Sequence, residues 1–153
     1  MRQSASAAHS HPFTHFPIHI PIMDIRAEQM EEKIFHALEA TDSEMERRYG
    51  DRFPLHPARL PDGEAASRQY DGLFSLSAGF TAGIGSQFGP GYSLDLRMVT
   101  LEAVPKSFRE QFEREAVEVL QGELSKQFPD RRLEVVHDVN GYKIVGDLSL
   151  GEV

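Results

Sequence analysis

Cysteine is absent from all 153 residues of the sequence. No disulfide, thiolate zinc site or cysteine nucleophile is therefore possible. The N-terminus also lacks the apolar segment that follows the basic start of a secretory signal. A chain without cysteine is compatible with both the cytosol and the periplasm, and without such a signal we expect a cytoplasmic protein.

Basic residues are fewer than acidic residues in this sequence. The sequence has 16 Lys and Arg against 24 Asp and Glu, which gives a formal net charge of −8. This balance opposes binding to nucleic acid or to an anionic membrane surface. Apolar residues nowhere run on for the roughly 18 positions that indicate a transmembrane helix. We therefore predict an acidic, soluble protein with neither nucleic acid nor membrane as a partner.

The common signatures of catalysis and nucleotide binding are missing as well. The chain has no Gly-x-Ser-x-Gly, no His-Glu-x-x-His, no P-loop and no EF-hand loop. Their absence lowers the odds of an enzyme without excluding one. It favours a non-enzymatic function, and no cofactor is predicted.

The first 22 residues differ in composition from the rest. They hold four of the seven histidines and three of the nine prolines, and prolines at this density exclude a regular helix. We predict a tail over residues 1–22 and a single domain over residues 23–153, with Met1 and Met23 both open as the natural start. The histidines of the tail are His9, His11, His15 and His19. Imidazole binds Zn²⁺, Ni²⁺ and Cu²⁺, but no rigid frame surrounds these residues, so we predict no metal site.

Two segments have the three- and four-residue apolar spacing of amphipathic helices. The first runs from about Asp24 to about Tyr49, and a capping box that starts at Thr41 allows it to break and restart there. The second begins at Pro105 and ends at Pro129. The apolar stripes comprise Ala27, Met30, Ile34, Leu38, Thr41, Met45 and Tyr49 in the first helix and Phe108, Phe112, Val119, Leu120, Leu124 and Phe128 in the second.

The segment between the helices predicts two strands. Strict alternation over residues 73–84 indicates a strand with one apolar face. A second strand is predicted over residues 92–104, with a bulge near Met98, where the apolar positions change phase. The intervening residues 86–91 form the connection.

The C-terminal segment predicts a second hairpin over residues 132–149. Asn140-Gly141 is the dipeptide that a type I′ turn prefers. A turn there places Val139 opposite Tyr142 and His137 opposite Ile144. The element order is then α-β-β-α-β-β, which predicts an α+β fold: a four-stranded antiparallel sheet of two hairpins with two helices.

The second face of the first strand carries small side chains. They are Ser75, Ser77, Gly79 and Thr81. An open strand face normally carries charged residues that block edge pairing, so we predict that these four residues form a contact surface. We expect one of the protein's own helices to cover it, ahead of a second subunit or a ligand.

The glycine-rich connection after this strand is a candidate ligand site. Its members are Gly83, Gly85, Ser86, Gln87 and Gly89, to which His137 of the last hairpin is added because it is alone on an apolar face. A dinucleotide loop requires a helix directly after the glycines. A strand follows here instead, so nucleotide binding is disfavoured and a small ligand of another kind stays open.

Two functional hypotheses remain. The first is a small non-enzymatic binding or assembly module that self-associates, for example as a homodimer, or binds a protein partner. It rests on the acidic charge, the small-residue strand face and the missing catalytic motifs. The alternative is a small-ligand-binding protein or enzyme with a pocket near the Gly83–Gly91 loop, which rests on the glycines alone.

Overall fold

The computed structural model describes residues 25–139 and 141–148. The predicted tail over residues 1–22, with its four histidines, lies outside these residues. The elements in chain order are α1 (Ile25–Tyr49), a 3-10 turn (Arg68–Tyr70), β1 (Phe74–Thr81), β2 (Gly91–Met98), α2 (Lys106–Gln127), β3 (Leu133–Asp138) and β4 (Gly141–Gly146). The predicted α+β class and its element order are confirmed.

The four strands form one antiparallel sheet in the order β1-β2-β4-β3. The two hairpins meet at its centre, where Tyr92 pairs with Ile144 and Ser93 pairs with Lys143. This arrangement leaves β1 at one edge of the sheet and β3 at the other.

Both helices pack on one face of the sheet, because the apolar side chains of the strands lie there. Phe74 and Leu76 of β1 are buried in the same core as residues of α1 and α2. The ring of Phe74 stacks on that of Phe112, with 4.7 Å between the centroids. Neither helix is long and apolar enough to cross a membrane, among the residues that the structure describes.

Helix α1 is continuous through the capping box at Thr41. The Thr41 hydroxyl donates to the backbone carbonyl of Ala37 at 2.8 Å, and Ser43 donates to Glu39 in the same way at 3.0 Å. The hydroxyls therefore bond back to the preceding turn instead of capping a new helix. Thr41 is fully buried, so packing holds the helix together at this point.

The first two strands end earlier than the alternation predicts. Beyond β2, the Val99 carbonyl accepts from the backbone N–H of His56, and the Thr100 hydroxyl donates to the carbonyl of Pro54. The chain has left the sheet here to contact the preceding loop. The change of phase near Met98 therefore marks the end of the strand, and the predicted bulge does not form.

The predicted register of the second hairpin is wrong by two residues. His137 pairs with Tyr142, and Asp138 pairs with Gly141. Gly141, at φ +123°, is the first residue of β4 and not the second residue of the turn. Asn140 lies outside the described residues. A shift of two residues keeps every side chain on its face, so the assignment of faces survives.

We expect Phe112→Ala to lower the free energy of unfolding by about 3 kcal/mol or more, because the side chain is fully buried against Phe74. Glu118→Ala, on the exposed side of α2, serves as the control and changes it by less than about 0.5 kcal/mol. Urea denaturation measures both. Equal losses would contradict the packing described for α2.

Candidate functional site

The small-residue face of β1 points away from both helices. Its residues Ser75, Ser77 and Gly79 pair with Arg97, Asp95 and Ser93 of β2. Gly79 is exposed, and a Cβ atom added there would meet no described atom within 4 Å. The expectation that one of the protein's own helices covers this face is wrong, because the helices follow the apolar side chains to the opposite face. A role as a contact surface for another molecule stays a prediction.

We expect Gly79→Val to leave the free energy of unfolding unchanged, since the position has open space and no positive φ. Gly141→Val is the matched comparison at a glycine with φ +123°, and it should cost about 1 kcal/mol or more. Thermal or urea denaturation of the two variants compares them directly. A large loss at Gly79 alone would mean that part of the chain covers this face.

The glycine-rich loop, residues 82–90, covers the half of this outer face that lies near β4. Lys143 holds the loop there. This lysine of β4 is only 4% exposed. Its ammonium donates to the hydroxyl of Ser86 at 3.1 Å and to the carbonyl of Gly89, and it lies 3.7 Å from a carboxylate oxygen of Asp138. Ser86 also donates to that oxygen. One buried cation therefore ties the loop to the β3–β4 hairpin.

The carboxylate of Asp138 is stabilised in its charged form by these neighbours. A hydrogen bond from Ser86, a second from the backbone N–H of Val139 and the charge of Lys143 lower the pKa of Asp138. Because the ammonium of Lys143 already has three oxygen neighbours, it is a tether for the loop rather than a free cation for an anionic ligand.

The predicted ligand residues are only partly brought together. Gly83, Gly85 and Ser86 line a cavity of about 270 Å³ beside Lys143 and Asp138. The lining does not include the other three predicted residues. Gly89 contributes its carbonyl to the tether instead, and Gln87 is exposed on the loop.

His137 is separated from this cavity by the hairpin itself. In the register of β3 it lies on the face opposite Val136 and Asp138. Its ring packs against that of Tyr142 at an angle of 78°, with the centroids 5.0 Å apart, and it is exposed to solvent. The alternation of the strand therefore excludes His137 from the site that holds Ser86.

We expect Lys143→Met to lower the free energy of unfolding by about 2 kcal/mol, because it removes hydrogen bonds to a buried ammonium. Lys126→Met is the control, since Lys126 forms an exposed pair with Glu123, and it should cost under about 0.5 kcal/mol. Amide hydrogen exchange in residues 82–90 should accelerate in the first variant alone. Unchanged exchange there would show that the lysine does not hold the loop.

The difference between wild type and Lys143→Met should also depend on pH. The folded state lowers the pKa of Asp138, so its stabilising contribution is present above the ordinary aspartate pKa of about 3.9 and is lost as the pH falls through the lowered value. Denaturation at pH 7 and in acid should therefore show a smaller difference in acid.

The free edge of β1 is the other exposed feature of the sheet. The N–H of Val99 donates to the carbonyl of Leu73 at 2.7 Å, which fixes the odd-numbered residues as those that bond to β2. The even-numbered residues point outward. Of these, Phe74 bonds to Glu46 and Arg59. In the described parts of the chain, nothing bonds to the outward backbone groups of Leu76, Ala78 and Phe80.

A groove of about 510 Å³ runs between this edge and α1. Its apolar lining includes Phe35, Leu38, Leu76, Phe80 and Tyr92, and its acidic lining comprises Glu28, Glu31 and Glu32. Phe80 is 64% exposed, although its place in the alternation predicts a core position. The first turns of α1 do not cover it. The sequence contains one sign of this groove that the sequence predictions did not use: Phe35 is an aromatic residue outside the apolar stripe of α1.

One group of carboxylates has a spacing suited to a metal ion. One oxygen each from Asp42, Glu46 and Asp62 lies within 4.8 Å of the others. Burial and the negative charges of Glu46, Asp62 and Asp71 raise the pKa of Asp42 to about 8. The positive charge of Arg68 acts in the opposite direction. Sequence analysis predicted no metal site. The signal was an aspartate beside Thr41, on the buried stripe of a helix.

Comparison with known proteins finds relatives of this chain. A family model described as "Uncharacterised protein" matches residues 25–146. A protein of Borreliella burgdorferi described as "Uncharacterized protein" is 36% identical over 118 residues, which cover 77% of this chain and 92% of the relative. No solved structure matches. The matched region contains every helix and strand of the fold.

Proposed function

This chain belongs to the family whose model matches residues 25–146, and we propose that it is a non-enzymatic binding module that takes an extended segment of a protein partner along the free edge of β1. The partner segment adds a fifth strand to the sheet. Main-chain hydrogen bonds supply affinity in this mode of recognition, and pockets for alternate side chains supply specificity.

The outward backbone groups of Leu76, Ala78 and Phe80, which bond to no other described residue, are the observation that carries the proposal. They extend over about 14 Å at ~3.4 Å per residue, which is enough for a partner strand of about five residues. The groove beside them offers apolar surface for the partner's side chains, notably at Phe35 and Phe80.

The composition of the two edges supports β1 over β3. Natural edge strands carry charged residues, prolines or bulges that discourage pairing. β3 has Glu134 and Asp138, whereas Phe74–Thr81 has neither charge nor proline, and its pairing with β2 is regular. β1 is therefore the edge that a second chain can extend.

Charge favours a partner other than a second copy. Glu28, Glu31 and Glu32 line the groove, and the chain carries a net charge of −8. A second copy would add further negative charge, whereas a segment that alternates apolar residues with Lys or Arg complements the groove. The alternative of a small ligand beside the Gly83–Gly91 loop has weaker support, because Lys143 is already occupied by Ser86 and Gly89.

The test uses a fluorescein-labelled Lys-Val-Lys-Val-Lys-Val peptide and its Glu-Val counterpart in fluorescence anisotropy. We expect the basic peptide to bind at least tenfold more tightly than the acidic one. Amide exchange should slow at Leu76, Ala78 and Phe80 on binding, while Ser77 and Gly79 stay unchanged because they already bond to β2. Equal binding of the two peptides, or no protection at the three outward amides, would contradict the proposal.

Two variants that each add one lysine test whether the basic peptide binds in the groove or elsewhere on the surface. Phe80→Lys should weaken binding of the basic peptide at least tenfold, since it places a cation in the groove. Ile84→Lys, at a loop residue that is 98% exposed, should leave it nearly unchanged. Sedimentation of the wild type provides a further check. A dimer that Phe80→Lys converts to a monomer would assign the edge to a second copy and overturn the choice of a different partner.

A further inference from the structure

Two aspartates are buried without full hydrogen bonding. Asp42 of α1 is 2% exposed, and neither of its carboxylate oxygens has a hydrogen-bond partner among the residues that the structure describes. Asp71 is fully buried, and its Oδ1 has none either. Buried polar atoms in folded proteins are nearly always satisfied by the protein, by water or by an ion. Protonation does not resolve the problem at Asp42, because the new hydroxyl would itself need an acceptor.

The unsatisfied oxygens of Asp42 belong to a larger group of acids. Glu46 follows one turn later on the same face of α1 and accepts the N–H of Phe74 at 2.9 Å. Asp62, on the loop before β1, approaches both from the other side. The loop is fixed by Asp71, whose Oδ2 accepts the N–H groups of Gly63 and Ala65 at 3.0 Å each.

We propose that Asp42, Glu46 and Asp62 form a binding site for a hard divalent cation, best matched by Ca²⁺, which joins α1 to the loop that carries Asp62. The inference is independent of the proposed peptide-binding edge. A bound cation provides a partner for the two carboxylate oxygens of Asp42. It also explains why the helix carries two acids one turn apart on its inner side.

The dimensions of the group are compatible with calcium, and the number of its carboxylates favours it. Ca²⁺ lies about 2.4 Å from its oxygen ligands, so two ligands on opposite sides of the ion are about 4.8 Å apart. The separations between Asp42, Glu46 and Asp62 fall within 4.8 Å. Mg²⁺ usually keeps several waters and is held by one or two carboxylates, so three carboxylates that converge from two segments suit Ca²⁺ better.

The donor atoms and the charge balance agree with a hard dication. All three ligands are carboxylates, which suit Ca²⁺, Mg²⁺ and Mn²⁺ rather than the softer Zn²⁺ or Cu²⁺. Arg68 pairs with Asp62 at 2.9 Å and offsets one of the negative charges. Arg59, another cation of this loop, donates instead to backbone carbonyls, among them those of Gln69 and Phe74. A net negative charge is therefore left for an ion to balance.

Isothermal titration of the chelator-treated full-length protein with CaCl₂ tests the proposal. We expect one saturable site and a rise of several degrees in the melting temperature on adding Ca²⁺, with smaller rises for Mg²⁺ and Mn²⁺. Absence of heat and of any shift with all three ions would overturn the proposal and leave an ordered water as the partner of Asp42. A larger response to Mg²⁺ or Mn²⁺ than to Ca²⁺ would overturn the choice of calcium.

Asp42→Asn should remove the calcium response, and in EDTA it should melt at the same temperature as the wild type or above it, because an amide, like a protonated carboxyl, places no charge beside Glu46 and Asp62. Asp95→Asn, at an exposed acid paired with Arg97, is the matched control and should keep the full response. If Asp42→Asn does not fold, Asp62→Asn on the exposed loop is the second variant, with an expected loss of at least tenfold in calcium affinity. A full response in either site variant would overturn the assignment of ligands.

Discussion

The sheet depends on the central pairing of β2 with β4, since each hairpin alone has too little apolar surface to be stable. The ladder here is short: Tyr92 opposite Ile144 and Ser93 opposite Lys143. Tyr92 and Ile144 are buried under the helices, and Lys143 is buried on the other side by the loop over residues 82–90. Packing on both faces therefore reinforces a ladder that backbone hydrogen bonds alone would hold weakly.

The same pairing determines which surfaces stay available. Because β2 and β4 meet in the middle, β1 and β3 become the edges. The loop and Lys143 cover only the half of the outer face near β4, so the small residues of β1 stay open. On the inner face the first turns of α1 leave Phe80 uncovered. The proposed binding edge is thus a consequence of where the two hairpins join.

Sequence periodicity predicted the elements and faces well, because alternation and helical spacing directly record which side chains leave water. The apolar side of β1 and the stripe of α2 follow from it. The register of the second hairpin did not follow from it, since a shift of two residues preserves the same alternation. Only the backbone pairing of Asp138 with Gly141 distinguishes the two registers. The cover over β1 was also wrong, because small side chains indicate that bulk is missing without indicating what lies opposite.

Two of the candidate site residues that sequence reasoning missed are charged residues within apolar patterns. Lys143 interrupts the apolar β4, and Asp42 lies on the buried stripe of α1. Both are visible in the sequence as exceptions to a pattern. Their partners, Ser86 and Asp62, are distant along the chain, so only the folded structure connects them.

The central ladder also bears on how the chain folds. Tyr92 and Ile144 are about 50 residues apart, with all of α2 between them, whereas each hairpin closes over a short connection. The entropy cost of closing a loop rises with its length, and non-local pairings slow folding. We expect the hairpins and helices to form first and the sheet to close last, so that the β2 and β4 edges are exposed together in the late intermediate, where pairing between molecules competes with completion of the fold.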